Sequence, residues 1–68
     1  LQAGEYAAAE ALLTRVLALD EADRDAQINM AVVEASTGRT DTARQRINRL
    51  VARFPEDETI AAMRRQLN

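Results

Sequence analysis

The chain has 68 residues, contains no cysteine and no histidine, and carries a net charge of −2 at pH 7. This composition excludes disulfides, thiolate zinc sites and histidine-based acid–base catalysis, and the charge offers no bulk attraction to nucleic acid or anionic lipid. No apolar run approaches the roughly 20 residues of a membrane-spanning helix, so membrane insertion is not expected. We therefore expect no catalytic residue, no cofactor and no bound metal, and a small core built from aliphatic side chains.

The first predicted helix covers approximately residues 5–19. Its apolar side chains occupy about half of the helical circumference, which one neighbouring helix cannot cover. These side chains belong to Tyr6, Ala8, Ala9, Leu12, Leu13, Val16, Leu17 and Leu19. Leu12 and Leu19 are therefore predicted to lie in a contact with another segment or with a second copy of the chain, which makes a homodimer an expectation.

The acidic segment 20–25 interrupts the apolar pattern and starts the second predicted helix. Asp23 is its predicted N-cap, because a carboxylate there can accept hydrogen bonds from the free N–H groups of the first turn. The apolar line of this helix recurs at spacings of four, three and four, at Ala26, Met30, Val33 and Thr37. Gly38 is predicted to end the helix, since glycine reaches the left-handed conformation of a helix C-terminus without a steric penalty.

The third helix is expected to be capped by Thr40 or Asp41 and to stop at Pro55, because the residue before a proline avoids the α conformation. Its apolar line consists of Ala43, Ile47, Leu50, Val51 and Phe54. Asp57 is predicted to cap a fourth helix, whose apolar side consists of Ile60, Met63 and Leu67. Strand and hairpin patterns are absent, so an all-α fold of four helices is predicted, with short loops that make neighbouring helices antiparallel.

The sequence matches itself at a spacing of 34 residues. The identical pairs in that register are Gly4/Gly38, Ala9/Ala43, Arg15/Arg49, Ala18/Ala52 and Asp23/Asp57. A helix–turn–helix unit of this period resembles the tetratricopeptide repeat, and the resemblance covers essentially the whole chain. Its motifs are a turn glycine at Gly4 and Gly38, a small residue five positions later, and Pro55 after the second helix of the repeat.

The resemblance implies a division of the chain into helix B of an incomplete repeat (1–22), a complete repeat (23–56) and a C-terminal capping helix (57–68). Leu1 and Gln2 would then be the tail of a preceding helix A. Because the chain does not begin with methionine, it is expected to come from a longer protein. The absence of lysine points weakly to a bacterial source with a GC-rich genome.

The capping role of the fourth helix is predicted from two arginines. Arg64 and Arg65 occupy the places that Met30 and Ala31 hold in the complete repeat, and arginine there favours a solvated outer face. A further repeat that continues past the chain is the alternative. Two other departures from the family pattern occur in the second helix, where Gln27 and Glu34 replace large aromatic residues.

Two charged clusters have a chemical and a structural interpretation. The carboxylates of the segment 20–25 could hold a metal, but the segment lacks the glycine and closing glutamate of a calcium loop, so helix capping is preferred. Arg46, Arg49 and Arg53 could contact phosphate or RNA, but no aromatic side chain lies between them to stack on bases. A solvated outer face of the third helix is therefore preferred.

In the family that the chain resembles, helix A lines a concave binding face. By position, the resemblance implies a lining of Asp25, Ile28, Asn29, Val32, Ala35, Ser36, Thr59, Ala62 and Met63. Asn29 matches an asparagine that holds a terminal carboxylate in chaperone-binding members, but the basic partners of that clamp would fall at Thr59 and Met63, so such a clamp is not predicted.

Two functions remain open from the sequence. One is a protein–protein interaction scaffold that binds a peptide or partner subunit through this concave face. The other is a structural spacer or self-association element in a larger multidomain protein. The sequence gives no basis for a cellular location.

Overall fold

The computed structural model describes residues 3–67 and consists of four α-helices in that range. They are α1 (Ala3–Leu19), α2 (Arg24–Ser36), α3 (Thr40–Arg53) and α4 (Glu58–Leu67), joined by the short loops 20–23, 37–39 and 54–57. Each helix packs on the next, α1 on α2, α2 on α3 and α3 on α4. The all-α prediction is confirmed, and none of the described helices is long and apolar enough to cross a membrane.

Both predicted aspartate caps are confirmed. Oδ1 of Asp23 accepts a hydrogen bond from the backbone N–H of Ala26 at 3.0 Å, at the start of α2. Oδ1 of Asp57 does the same for the N–H of Ile60 at 3.1 Å, at the start of α4. Each carboxylate satisfies a donor that the helix itself leaves free, which fixes where these two helices begin.

Gly38 ends α2 in the predicted way, with a φ of +86°. The N–H of Arg39 donates to the carbonyl of Glu34 at 2.8 Å, and the N–H of Gly38 donates to the carbonyl of Ala35 at 3.4 Å. These two bonds form a Schellman motif, which satisfies carbonyls at the end of α2 and turns the chain directly into α3.

The predicted cap of α3 is wrong, because Thr40 and Asp41 lie inside its first turn. The cap position belongs to Arg39, whose side chain makes no capping hydrogen bond and whose carbonyl accepts from the N–H of Ala43 at 3.0 Å. The helix begins early because the Schellman motif already reverses the chain at Gly38. Asp41 instead accepts from Nη1 of Arg44 at 2.8 Å.

The predicted turn at Gly4 is also wrong, since Gly4 lies inside α1 in helical conformation. Residues 3–67 include no helix before α1, so nothing in the described chain requires a reversal at this point. The predicted tail of a preceding helix A, at Leu1 and Gln2, lies outside the described residues. Pro55, in contrast, follows the end of α3 as predicted, with Phe54 at the C-cap.

The core lies between α2, α3 and α4. Its buried side chains are Ile28, Ala31, Ile47, Leu50 and Ile60, with Val51, Phe54, Met63 and Leu67 packed around them. The predicted apolar lines of α3 and α4 are confirmed. On α2 the predicted line is confirmed for Ala26, Met30 and Val33 but wrong for Thr37, which is the exposed C-cap. This helix contacts both α1 and α3, so it also buries side chains outside that line.

The first helix is covered only in part. Of its residues 4–19, none is fully buried, and the half-buried ones are Tyr6, Ala9, Glu10, Leu13, Val16 and Leu17. Leu12 is 61% exposed and Leu19 is 91% exposed. The prediction that one neighbour leaves part of the apolar face exposed is confirmed for the described residues.

Candidate functional site

The predicted concave lining separates into exposed and buried residues. Four exposed residues of α2 recur at spacings of four, three and four and therefore share one side of the helix. Together with an exposed residue in the first turn of α4, they form a surface that we call the α2–α4 face. Its residues are Asp25, Asn29, Val32, Ser36 and Thr59. Val32 is 45% exposed, which makes it the main apolar contact on this face.

The other predicted lining residues serve the fold. Ile28 is only 9% exposed and belongs to the core cluster, where Met63 packs against it. Ala35 and Ala62 are half-buried. The exposed part of the predicted lining therefore consists of polar residues around Val32.

An ion pair between α2 and α4 fixes the edge of this face. Nη2 of Arg24 donates to Oδ1 of Asp57 at 3.1 Å, and Nε donates to Oδ2 of the same carboxylate. This two-bond geometry is the most favourable arrangement for arginine and carboxylate. Since Arg24 begins α2 and Asp57 caps α4, the pair holds the N-terminal ends of both helices side by side.

The charge of Asp57 is strongly stabilised in the folded chain. The hydrogen bond from Arg24, followed by the backbone N–H of Ile60, lowers the pKa of Asp57 from its ordinary 3.8 to about 2. A carboxylate that accepts such bonds favours its ionised form. The cap and the ion pair therefore depend on the same charge.

A second ion pair joins α1 to the start of α3. The guanidinium of Arg39 donates to both carboxylate oxygens of Glu10, at 2.6 Å and 3.1 Å, and the pKa of Glu10 is lowered by these hydrogen bonds. Nη2 of Arg39 also donates to Oγ1 of Thr37 at 3.0 Å. The pair bridges helices that are not neighbours in sequence and so supports the orientation of α1.

A buried polar network between α2 and α3 escaped sequence reasoning. Glu34 is only 3% exposed, and its carboxylate accepts from Nε of Arg46 at 2.8 Å and from Nη2 at 3.1 Å. Nη1 of Arg46 donates to the side-chain carbonyl of Gln27. Arg46 was expected on a solvated face, and this expectation is wrong. A signal did exist, since polar Gln27 and Glu34 stand where the family pattern has large aromatics.

The network satisfies its polar groups internally. The side chain of Gln27 completes it by donating to the carbonyl of Glu21 at 2.7 Å. Among residues 3–67, no buried side-chain nitrogen or oxygen lacks a hydrogen-bond partner. A buried pair that is fully hydrogen-bonded avoids the large penalty of an unpaired buried charge, and it fixes how α2 and α3 align.

The acidic segment 20–25 forms local bonds. Oδ1 of Asp20 accepts from the N–H of Ala22 at 3.1 Å, Asp23 caps α2, and Asp25 accepts from Nη1 of Arg24 at 2.7 Å. The described part of the chain brings no three acidic groups together as candidate metal ligands. These contacts support the interpretation of the segment as a helix start.

Helices that pack each on the next, with matching aspartate caps one repeat apart, define the chain as an α-helical repeat protein. The model of the tetratricopeptide-repeat family matches residues 1–67, and the chain belongs to that family. No curated protein and no solved structure matches the chain. Repeats of this family are generally protein–protein interaction modules and are typically not enzymes.

Proposed function

We propose that the chain is an interaction scaffold that binds a segment of a partner protein on the α2–α4 face. The observation that carries the proposal is Val32, a branched apolar side chain of α2 that is 45% exposed among polar exposed neighbours. Asn29 and Ser36 lie on either side of it along the same stripe. Such a stripe offers an apolar contact for one partner side chain and hydrogen bonds for the partner's polar groups.

The chemistry of the face favours an internal segment of the partner over its C-terminus. None of the residues that form the face is basic, and the nearest arginine, Arg24, is already bound to Asp25 and Asp57. A terminal carboxylate would thus lack a cation. The ligand that fits is a helix or extended segment with one apolar side chain opposite Val32.

The division of the chain supports the same arrangement. We place helix B of an incomplete repeat at 1–22, a complete repeat at 23–56 and a capping helix at 57–68. In this division α2 and α4 occupy the helix A positions, and the ion pair between Arg24 and Asp57 keeps them adjacent. A partner would therefore meet two helices held in a fixed relation.

Affinity capture with matched variants tests the proposal. Val32→Glu places a charge in the apolar centre of the face, whereas Gln45→Glu adds the same charge at an exposed position of α3. We expect proteins captured by the parent chain to be lost with Val32→Glu and retained with Gln45→Glu, and the loss to be reproduced with the purified partner by calorimetry. Equal capture by both variants would contradict the assignment to this face.

Self-association is the second candidate function, and it rests on α1. Leu12 and Leu19 are exposed to 61% and 91%, and their spacing of seven residues puts them on the same side of the helix. Each side chain contributes about 1.5–3 kcal/mol when it is buried. A second copy of the chain or another domain of a larger protein would cover this face, which makes the chain a spacer or an assembly element.

A further inference from the structure

A cleft of about 500 Å³ lies between α3 and the loop that joins α1 to α2. We call it the arginine cleft. Its lining includes Arg46, Arg49, Arg53, Gln27, Glu21 and Leu50. Three arginines of a single helix therefore line the same cleft.

Of the three arginines in the arginine cleft, one is paired with a carboxylate of residues 3–67 and two are not. Arg46 is neutralised by Glu34, with Nε and Oε1 2.8 Å apart. Arg49 and Arg53 lie one helical turn apart, are both exposed, and form no ion pair with any residue of the range 3–67. Like charges at this spacing repel each other, and no carboxylate of residues 3–67 lies within ion-pair distance of either arginine. An anionic ligand would remove that repulsion.

We propose that the arginine cleft is a second interaction surface, which binds an acidic segment of a partner protein. Carboxylates of the segment bind Arg49 and Arg53, since the guanidinium fork matches a carboxylate with two parallel hydrogen bonds. Glu21 at the opposite side of the cleft accepts a hydrogen bond from a backbone N–H or a basic side chain of the segment. Ala22 and Ala52 offer apolar contacts to its methylene groups.

The lining favours a peptide over a nucleic acid. Glu21 belongs to the cleft lining, so a bound ligand has to place its negative charges at Arg49 and Arg53 and away from this carboxylate. No aromatic side chain lines the cleft to stack on a base, which single-stranded nucleic acid binding requires. Discrete carboxylates fit two isolated arginines better than a phosphate chain does.

The arginine cleft is independent of the α2–α4 face. At about 100° per residue, Gln27 and Glu34, which point toward Arg46, lie roughly 180° around α2 from Asn29 and Val32. The two surfaces are therefore on opposite sides of the same helix. A chain with both could hold one segment of a partner on each side.

Fluorescence anisotropy with a designed probe tests the proposal. The probe is a fluorescein-labelled peptide of about ten residues made of Glu, Asp, Leu and Gly, and its control replaces the acids with Gln and Asn. The double variant Arg49→Gln/Arg53→Gln should bind the acidic probe at least about tenfold more weakly than the parent chain, which is the loss expected for two charge-assisted contacts. The matched control, Arg64→Gln/Arg65→Gln, removes the same charge from exposed positions of α4 and should bind as the parent does.

Several outcomes would overturn the proposal. These are no binding of the acidic probe by the parent chain, equal weakening by the α4 control, or equal binding of the uncharged peptide. Tighter binding of a labelled oligonucleotide of similar length would assign the cleft to nucleic acid instead. A change in self-association caused by Arg49→Gln/Arg53→Gln would mean that a second copy occupies the cleft. Circular dichroism confirms that each variant is folded, and Val32→Glu should leave binding of the acidic probe unchanged.

Discussion

At the scale of single residues, Gly38 carries the tightest backbone requirement. Its φ of +86° is in the region that L-residues avoid, while no heavy atom lies within 4 Å of the position that a Cβ would take. Gly38→Ala should therefore destabilise the chain by about 1–2 kcal/mol through backbone strain alone. Asn tolerates this conformation better, so Gly38→Asn should fall between the parent chain and Gly38→Ala.

Thermal unfolding followed by circular dichroism measures this effect. In a domain of this size, each kcal/mol corresponds to a change of about 4–8 °C in Tm. Ala18→Ser, at an exposed position of α1, is the control and should change Tm far less. Equal Tm values for Gly38→Ala and Ala18→Ser would mean that the turn after α2 does not need the left-handed conformation.

The pair of Glu34 and Arg46 provides a second prediction at this scale. Glu34→Leu leaves the guanidinium of Arg46, whose side chain is 18% exposed, without its anion. Removal of one partner of a buried pair costs about 3–5 kcal/mol, and we expect about 3 kcal/mol here because Arg46 keeps some contact with water. The double variant Glu34→Leu/Arg46→Met should recover much of the loss, since apolar replacements of similar volume often match a buried pair.

Urea unfolding of the parent, both single variants and the double variant gives the coupling free energy. Asp41→Ala serves as the control, because it breaks an arginine–carboxylate pair in which the aspartate side chain is 88% exposed. Such a surface pair contributes about 0–1 kcal/mol. If Glu34→Leu were no more destabilising than Asp41→Ala, the network would not align α2 with α3.

At the scale of helices, the ion pair of Arg24 and Asp57 predicts a dependence on pH. The folded chain lowers the pKa of Asp57 to about 2 from an ordinary 3.8, so the ionised form is favoured by folding. Its stabilisation is fully present above the ordinary pKa and is lost as the pH falls toward the folded value. The parent chain should have a larger free energy of unfolding than Arg24→Gln at neutral pH. This difference should disappear as the pH decreases from about 5 to about 2.

Carboxyl titration by nuclear magnetic resonance tests the same pair directly. Asp57 should titrate near pH 2 in the parent chain, and its pKa should rise toward the ordinary value in Arg24→Gln. Asp57→Asn separates the helix cap from the ion pair with Arg24, because asparagine still caps a helix but carries no charge. An ordinary pKa for Asp57 in the parent chain would contradict the ion pair.

Much of the helical organisation could be predicted from local chemistry. Asp23, Gly38 and Asp57 each satisfy backbone groups within a few residues of themselves, so their roles depend little on the rest of the fold. Gly4 was misplaced because its role depends on a neighbouring helix, and a repeat pattern alone does not say whether that neighbour is present. Local rules therefore succeed where the partner groups are close in sequence.

The candidate site was less predictable for the same reason. Periodicity placed Arg46 on the polar side of α3. In the structure Arg46 is partly buried, because it forms an ion pair with Glu34, 12 residues away in the sequence. The spacing of apolar residues contains no information about such a pair. Ile28 was assigned to the binding surface by its repeat position, whereas it is buried in a core cluster drawn from three helices. Both outcomes depend on which helices meet, which is a property of the folded chain.

At the scale of the whole molecule, the charge is divided along the chain. Residues 1–34 contain seven acidic and two basic side chains, which gives a net charge of −5. Residues 35–68 contain four acidic and seven basic side chains, which gives a net charge of +3. The ion pairs of Glu10 with Arg39, Glu34 with Arg46, and Arg24 with Asp57 all cross between these halves. The first two pairs join an acid of the first half to an arginine of the second and so agree with this division, whereas the pair of Arg24 and Asp57 runs against it.

The exposed side of α1 leads to the last prediction. Leu12 and Leu19 lie on one side of α1 and are 61% and 91% exposed. Exposed apolar side chains that share one side of a helix are candidates for a contact. We expect the isolated chain to associate as its concentration increases, and Leu12→Glu to weaken the association. Ala18→Glu is the control, since Ala18 is an exposed residue of the same helix on its polar side. Sedimentation velocity over a range of concentrations measures both variants against the parent chain.

Two results would separate this face from the other surfaces. A monomer that melts sharply at high micromolar concentration, with α1 ordered, would show that α1 is stable with α2 as its only cover. If association persists in Leu12→Glu but is lost in Val32→Glu, the contact between copies lies on the α2–α4 face instead of on α1. Because charge between exposed groups is screened by salt while apolar burial is not, association through Leu12 and Leu19 should persist at about 0.5 M salt. Pairing driven by the −5 and +3 halves would instead disappear under that condition.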